Sequence, residues 1–354
     1  MSVTARAPVS GSLPTRVRRT LSAAVVRPSW IAVGAAVLLS PLLGVLPQAV
    51  IYAPFVASVL VFGLPHGAVD HLAPARTVDG SPRRSIVAVS VLYLVAGGAY
   101  LAWWFLAPVS AAVFFVLLTW AHWGQGDVYA LLAFVDAEHL PSRVERAVAL
   151  VVRGGLPMVA PLAFHPADYR RVVRGFVALF DGPVEALDPF FTPEARLVAG
   201  GGLLALTLVA AGVGAWRVYG GAARQPWAID VGELALLWVF FATLPPVLAV
   251  GLYFTCWHAL RHIARLLLID PGSVTALTDG DAASALRRFA RDAAPLTAVS
   301  LVLFGGLALV VPGDPTTLAA DATGLLALYL VGIAVLTLPH VVVVTWMDRV
   351  QGVW

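Results

Sequence analysis

The sequence has 354 residues, of which 60% are hydrophobic and only 12% are charged, whereas soluble domains are about 45–50% apolar and about 25% charged. So few charges cannot solvate so large a surface or follow a phosphate backbone, which excludes soluble Rossmann enzymes, nucleic-acid binders and disordered scaffolds. The formal net charge is +3, and all 23 basic residues are arginine. In a membrane chain such a net positive charge indicates positive loops on the cytoplasmic side. It gives little information about an anionic partner.

A Ser/Thr/Pro/Arg-rich segment without apolar periodicity occupies residues 1–28. We predict that it forms a cytoplasmic tail and that residues 29–350 form a single transmembrane helical domain. A helix needs about 20 apolar residues to cross a hydrocarbon core of about 30 Å. Stretches of this kind lie at 29–47, 49–68, 85–107, 109–132, 147–164, 197–216, 229–246, 247–268, 294–312 and 322–346. The predicted fold is therefore all-α, a polytopic transmembrane bundle of about 8–10 spans.

The fifth stretch, 147–164, is interrupted by Gly154, Gly155, Pro157 and Pro161. Proline and glycine break helices, so a broken or re-entrant segment and a full span both remain open here. The following residues, 165–195, form a polar stretch without a motif.

Arginines concentrate on one side of the predicted topology. If the tail lies inside, the same side receives Arg76, Arg83, Arg84, Arg143, Arg146, Arg217, Arg224, Arg287, Arg288, Arg291 and Arg349. The other side receives Arg170, Arg171 and Arg174. The positive-inside rule then predicts a multi-pass protein of the cell membrane with both termini in the cytoplasm.

Five of the eight histidines lie in or at the end of predicted spans: His66, His122, His258, His262 and His340. An ionisable residue at membrane depth is a functional-site hypothesis by default. The predicted topology places all five on spans of one direction and at a similar depth. Because the chain has one cysteine, a metal would have to be held by histidine and carboxylate. Neutral imidazoles without a thiolate suit Fe(II), Zn or Cu.

The segment 257–262 gives the clearest local signal. His258 and His262 are four residues apart and share one helix face, so both imidazoles can reach one metal. A hydrogen-bonded packing pair explains the same spacing, and the two interpretations remain open. Arg261 points to another face, where snorkelling toward the headgroups is the expected role.

Two acids follow two of these histidines, Asp70 after His66 and Asp127 after His122. Metal-bound histidine usually donates its second N–H to a carboxylate or carbonyl, so both acids are candidates to orient a ligand. The alternative is that both acids simply mark the cytoplasmic ends of helices, which would give the same sequence pattern. Aromatic residues near these positions are candidates to line a pocket for a flat, unsaturated ligand, with ordinary core packing as the alternative: Tyr52, Trp120, Trp123, Phe254 and Trp257.

Four motifs together resemble the Brp/Blh family of membrane β-carotene 15,15′-dioxygenases. They are Gly63-Leu64-Pro65-His66-Gly67-Ala68-Val69-Asp70-His71, Trp120-Ala121-His122-Trp123-Gly124-Gln125-Gly126-Asp127, Trp257-His258-Ala259-Leu260-Arg261-His262, and Leu338-Pro339-His340 followed by Trp346, Met347 and Asp348. The resemblance implies that iron is bound by His66, His122, His258 and His262. It leaves His340 as a residue of the pocket. With Asp70 and Asp127, which follow two of the histidines, His340 is expected to line the pocket or to support the ligands.

The resemblance also implies an activity. Fe(II) and O2 would cleave the central double bond of β-carotene, drawn from the bilayer, into two molecules of retinal. A microbial rhodopsin is the implied recipient of the product.

Two other classes remain open. Di-iron carotenoid hydroxylases and desaturases also use intramembrane histidines, but their histidine boxes include adjacent His-His pairs, which this sequence lacks. A haem-binding protein would need two facing histidines, and a transporter would favour carboxylates deep in the membrane. Glu233, near the start of the seventh predicted span, is nearly the only such carboxylate.

Overall fold

The computed structural model describes residues 13–45, 47–314 and 323–354, and every regular element within these ranges is helical. The α-helices are α1 (Thr15–Leu21), α2 (Arg27–Leu39), α3 (Gln48–Leu60), α4 (Gly63–Gly67), α5 (Ala73–Val78), α6 (Pro82–Leu92), α7 (Gly98–Leu106), α8 (Pro108–Ala130), α9 (Arg143–Phe164), α10 (Pro166–Ala178), α11 (Pro193–Tyr219), α12 (Arg224–Thr243), α13 (Pro246–Leu252), α14 (Leu260–Ile269), α15 (Pro271–Asp279), α16 (Ala282–Val310) and α17 (Thr323–Gln351). Segments of π-helix join several of them at Ser22–Val26, Tyr93–Gly97 and Tyr253–Ala259, and another extends α8 at Leu131–Val135; 3₁₀ turns lie at Ser40–Val45 and Val184–Phe191.

The bundle contains helices that are long and apolar enough to cross a membrane. By length and composition, and within the described ranges, eight qualify: Thr15–Val45, Ala49–Gly67, Pro82–Leu106, Arg143–Phe164, Pro193–Tyr219, Arg224–Thr243, Ala282–Val310 and Gly324–Gln351. The prediction of a polytopic all-α bundle is confirmed. Two other predicted spans, α8 and residues 246–269, are helical but fall outside this set. The first carries His122, Gln125 and Asp127, and the second carries His258, Arg261 and His262.

The first helix begins at Thr15, earlier than the predicted start at residue 29. Val17, Leu21 and Val25 recur every four residues and are buried, so this stretch packs on the bundle. Arg18 pairs with Asp136 at the end of the π-helix that follows α8. The described part of the predicted tail is therefore helical and attached to the bundle. Residues 1–12 of that tail lie outside the described residues.

The fifth predicted span is one continuous helix, α9, so the alternative of a broken segment is wrong. A reciprocal pair of hydrogen bonds between Ser142 and Glu145 caps its start, and such a box satisfies two free N–H groups of a first turn. Pro157 lies inside the helix, which neighbouring helices make tolerable in a bundle. A Cβ atom on Gly154 would overlap the Trp120 carbonyl. Glycine thus lets α8 and α9 approach closely.

The polar stretch 165–195 contains an amphipathic helix, α10. Val173, Phe176 and Val177 are buried, while Arg171 on the opposite side is exposed. The helix packs against α8, α9 and α17. It therefore belongs to the wall of the bundle interior.

Candidate metal centre and apolar cavity

Five imidazoles converge in the centre of the bundle, and we call this group the imidazole cluster: His66 on α4, His122 on α8, His258 in the π-helix, His262 on α14 and His340 on α17. Ring centroids lie 4.7 Å apart for the closest pairs and 6.5 Å apart for His258 and His262. Each of these side chains is at most 8% exposed. The four histidines of the predicted ligand set are thus brought together, and His340 lies among them.

Helix α4 presents His66 from a short turn that packs tightly on its neighbours. A Cβ atom on Gly63 would lie 2.6 Å from the Ser58 carbonyl oxygen and 2.7 Å from the Phe254 ring. Only glycine allows this approach. The Nδ1 of His66 bonds the Gly63 carbonyl, and because a carbonyl accepts, Nδ1 carries the proton. The Nε2 of His66 is then the nitrogen available to a cation.

The π-helix Tyr253–Ala259 presents His258 next to His262. Single turns of π-helix are rare and occur often at functional sites. The two rings lie nearly parallel, with an interplanar angle of 13°. A Cβ atom on Gly126 would lie 3.1 Å from the His258 ring, so a glycine of α8 also makes room for this imidazole.

Several ring nitrogens of the cluster are buried without a hydrogen-bond partner: Nδ1 of His122 and His258, both nitrogens of His262, and Nε2 of His340. A buried polar atom without a partner is costly, which raises the question of what binds there. The Nε2 atoms of His122 and His258 lie 3.1 Å apart, close to the spacing of about 3 Å expected for adjacent ligands on a metal with bonds of about 2.1 Å. The cluster therefore fits a metal ion.

Two groups of donor atoms within the described residues lie close enough to share one ion. His66, His122 and His340 form the first, and Asp70, His262 and His340 form the second, each within 4.8 Å. Imidazole and carboxylate without thiolate is a donor set typical of non-haem iron, and it also suits zinc.

Asp70 supports a different histidine from the one that precedes it in the chain. Its Oδ2 accepts from His340 Nδ1 at 2.7 Å and from the Tyr93 hydroxyl at 2.7 Å. Helix α4 ends at Gly67, before this residue, so the helical spacing to His66 does not hold. The side chain of Asp70 turns toward α17 instead.

Asp127 does not contact an imidazole, in contrast to the predicted role. Its carboxylate accepts from Arg153 Nη1 at 3.0 Å and from Trp257 Nε1 at 3.0 Å. The physical reason is the buried guanidinium of α9, which attracts the carboxylate away from the histidines.

Asp127 belongs to a second buried group, which we call the arginine–carboxylate cluster: Asp127, Arg153, Asp230, Glu233 and Arg261. Arg153 Nη2 lies 2.6 Å from Asp230 and 2.9 Å from Glu233. Arg261 lies 2.6 Å from Glu233 and 3.8 Å above the Trp257 ring. The expectation that Arg261 snorkels is wrong, because this side chain is 3% exposed and its charge is neutralised inside the bundle.

His139, which is outside the predicted ligand set, is buried. Its Nε2 lies 2.8 Å from Asp230. His165 is half-buried, and its Nε2 bonds the Ala242 carbonyl. Neither side chain reaches the imidazole cluster.

A cavity of about 330 Å³ opens beside the imidazole cluster. His66, His122 and His340 line it, and most of the remaining wall is apolar. Trp123 and Phe254 also line it, with ring centroids 6.0 Å apart and planes 19° apart. A mostly apolar cavity with a few convergent polar groups is the usual form of a small-molecule site.

The other predicted pocket aromatics lie elsewhere. Trp120 donates to the Val151 carbonyl and lines a second apolar cavity, Trp257 is fully buried against Asp127, and half-buried Tyr52 packs beside Phe55. Four residues of α10 line the main cavity instead: Tyr169, Val172, Val173 and Phe176. The i, i+3, i+4, i+7 spacing of these four residues was the signal that could have identified them.

His71 lies between α4 and α5, at the cavity, with its Nδ1 bonded to the Ala68 carbonyl at 3.0 Å. Burial lowers the pKa of His71 below its ordinary value. Its imidazole is therefore neutral at pH 7, and it adds no charge to the cavity.

Comparison with known proteins places these features in a family. The family model described as beta-carotene 15,15′-dioxygenase matches residues 57–348. The chain is 49% identical over 343 residues to the probable beta-carotene 15,15′-dioxygenase Blh of Halobacterium salinarum, covering 96% of this chain and 97% of that protein. It is 33% identical over 312 residues to the probable beta-carotene 15,15′-dioxygenase Brp of the same organism, covering 85% and 84%. No solved structure matches the chain.

Proposed function

This chain belongs to the β-carotene 15,15′-dioxygenase family, and we propose that it is an iron enzyme which uses O2 to cleave β-carotene at its central double bond into two molecules of retinal. The observation that carries the proposal is the position of buried, unpaired imidazole nitrogens at the wall of an apolar cavity. A hydrocarbon substrate needs such a wall, and a redox metal needs such donors.

The residues proposed to hold Fe(II) are His66, His122, His258 and His262. When bound, the iron supplies the activation of O2 that neutral imidazoles permit, since they leave coordination positions open. The contact of the Gly63 carbonyl with His66 Nδ1 fixes the tautomer of that ring before any cation binds. Pre-set ring orientation of this kind raises affinity.

The cavity residues position the polyene and exclude water. Trp123 and Phe254 form a flat apolar wall beside His66 and His258. A conjugated chain lying on this wall would present one of its double bonds to the histidines. Exclusion of water by the apolar lining also limits side reactions of an activated oxygen.

The chemistry balances without a further reductant. One C=C bond and one O2 give two C=O groups, so both oxygen atoms leave in the two aldehydes.

The multi-pass bundle supports uptake of β-carotene directly from the bilayer, and we assign the protein to the cell membrane with both termini cytoplasmic. A microbial rhodopsin is the proposed recipient of retinal.

Expression in a bacterium that accumulates β-carotene tests the proposal. Pigment should bleach and retinal should appear on chromatography, while a His122→Ala variant expressed to the same level should leave the pigment unchanged. Persistence of β-carotene with good membrane expression, or accumulation of hydroxylated carotenoids, would show that the proposed reaction is wrong.

A further inference from the structure

We infer that His340 is itself a ligand of the metal, held in place by Asp70 and Tyr93. This inference rests on the proposed metal site and extends its ligand set beyond the four histidines. The two groups of donor atoms that could share an ion within the described residues both contain His340, and neither contains His258.

The ring of His340 contacts three of the other four rings of the imidazole cluster. Its centroid is 4.7 Å from that of His122, 5.1 Å from that of His66 and 5.0 Å from that of His262. The side chain is 4% exposed. His340 is the one residue that belongs to both donor groups found among the described residues.

The hydrogen bonds of His340 leave one nitrogen for a cation. Nδ1 donates to the Asp70 carboxylate at 2.7 Å, so the proton resides on Nδ1 and Nε2 carries a lone pair. That Nε2 atom is buried and has no partner. A carboxylate behind the distal nitrogen is the arrangement that metal-bound histidine usually shows.

A role limited to shaping the pocket would not satisfy this nitrogen. A polyene carries no hydrogen-bond donor, so a substrate alone would leave Nε2 buried and unpaired. A metal ion provides the missing partner. Tyr93, whose hydroxyl donates to the same oxygen of Asp70 at 2.7 Å, fixes the carboxylate that fixes the imidazole.

The chain contains Leu-Pro-His twice, at 64–66 and 338–340. Both copies end on an imidazole of the cluster, and the two rings meet edge to face at 88°. The second copy thus delivers its histidine to the same place as the first, which is a proposed ligand.

Metal titration of purified protein in detergent tests the inference. Metal-free wild type and variants are titrated with Fe(II) under anaerobic conditions, and with Co(II) while its absorption bands are recorded. His340→Ala should weaken Fe(II) binding by more than about 100-fold, and Asp70→Asn by about 10–100-fold, the range for loss of a carboxylate behind a ligand. Tyr93→Phe should have a smaller effect. The control His165→Ala, a half-buried histidine outside the cluster, should bind like wild type.

The outcomes separate this inference from the proposed function. If wild type binds Fe(II) and cleaves β-carotene but His340→Ala binds Fe(II) as tightly as His165→Ala does, His340 is not a ligand and the proposed function stands. If wild type binds neither metal, both proposals fail. Thermal unfolding of the metal-free proteins checks that each variant is folded. If His340→Ala is unfolded, Asp70→Asn takes its place, and an unchanged Fe(II) affinity in Asp70→Asn overturns the inference.

Discussion

The imidazole cluster and the arginine–carboxylate cluster are both buried and polar, yet they differ in how many polar atoms lack a hydrogen-bond partner: five ring nitrogens in the first and Arg261 Nε in the second. Arg153 bonds three carboxylates through all three of its nitrogens. The imidazole cluster leaves ring nitrogens of four histidines without partners. Burial alone therefore does not indicate a ligand site. The number of buried polar atoms without a hydrogen-bond partner distinguishes a group that holds helices together from a group that can bind a ligand.

The two clusters meet on one helical stretch. His258 faces His122 and His262 faces His340 in the imidazole cluster, while Trp257 and Arg261 face the acids of α8 and α12. The hydrogen bonds of Trp257 and Arg261 therefore hold the side of this stretch that neighbours the two imidazoles.

The largest effect should come from the cavity-facing side of the imidazole cluster. His66→Ala and His122→Ala remove proposed metal bonds, so retinal formation and bound iron should each fall by more than about 100-fold, beyond the range for loss of a supporting group. Iron content by mass spectrometry and retinal by chromatography check this. The metal-free variants should unfold at the wild-type temperature, and full activity in either would remove that histidine from the ligand set.

Arg153→Met should instead act on stability. It removes the guanidinium that three buried carboxylates share, although Glu233 keeps Arg261 and Asp230 keeps His139 as a partner. Breaking a buried ion pair in this way costs about 3–5 kcal/mol. Unfolding in mixed detergent measures this cost, with Arg171→Met on an exposed pair as the control, where about 0–1 kcal/mol is expected. Iron bound per folded chain should stay near one. Loss of iron at full stability would contradict the division between the clusters.

Trp257→Phe tests whether Trp257 contacts the substrate or only links the two clusters. It keeps a ring beneath Arg261 but removes the N–H that donates to Asp127, a hydrogen bond to a charged group worth about 1.5–3 kcal/mol. Because Trp257 does not line the cavity, KM for β-carotene should not change. Trp123→Leu, at the cavity wall, should raise KM, and equal KM changes in both variants would place Trp257 in the substrate site.

Gly126→Ala should give the smallest effect. The added methyl carbon would lie 3.1 Å from the His258 ring. Crowding in a packed interior costs about 1–3 kcal/mol when neighbours cannot move. A shift of the His258 ring should alter the Co(II) spectrum of the loaded protein. Gly232→Ala, where the added atom meets nothing within 4 Å, is the matched control.

The sequence predicted the helical class and a similar depth for five histidines, because membrane-length apolar runs and intramembrane ionisable residues are local signals. That four of these histidines share one site was implied only by the family resemblance. It did not predict the partner of Asp127, since Arg153 comes from another helix and the pairing depends on how α8 and α9 pack. The burial of Arg261 was missed for the same reason, as Glu233 lies on α12. The role of α10 was missed because its arginines obscured an apolar face of regular spacing.

The dependence of retinal formation on bound iron tests the central claim most directly. Metal-free protein is prepared with a chelator, loaded with increasing Fe(II) under anaerobic conditions, supplied with β-carotene and then exposed to O2. We predict that retinal formation rises in proportion to bound iron, reaches its maximum at one iron per chain, and yields two molecules of retinal per β-carotene consumed. Retinal formation by the metal-free protein, or iron bound without any cleavage, would contradict the assignment of the imidazole cluster as the catalytic metal centre.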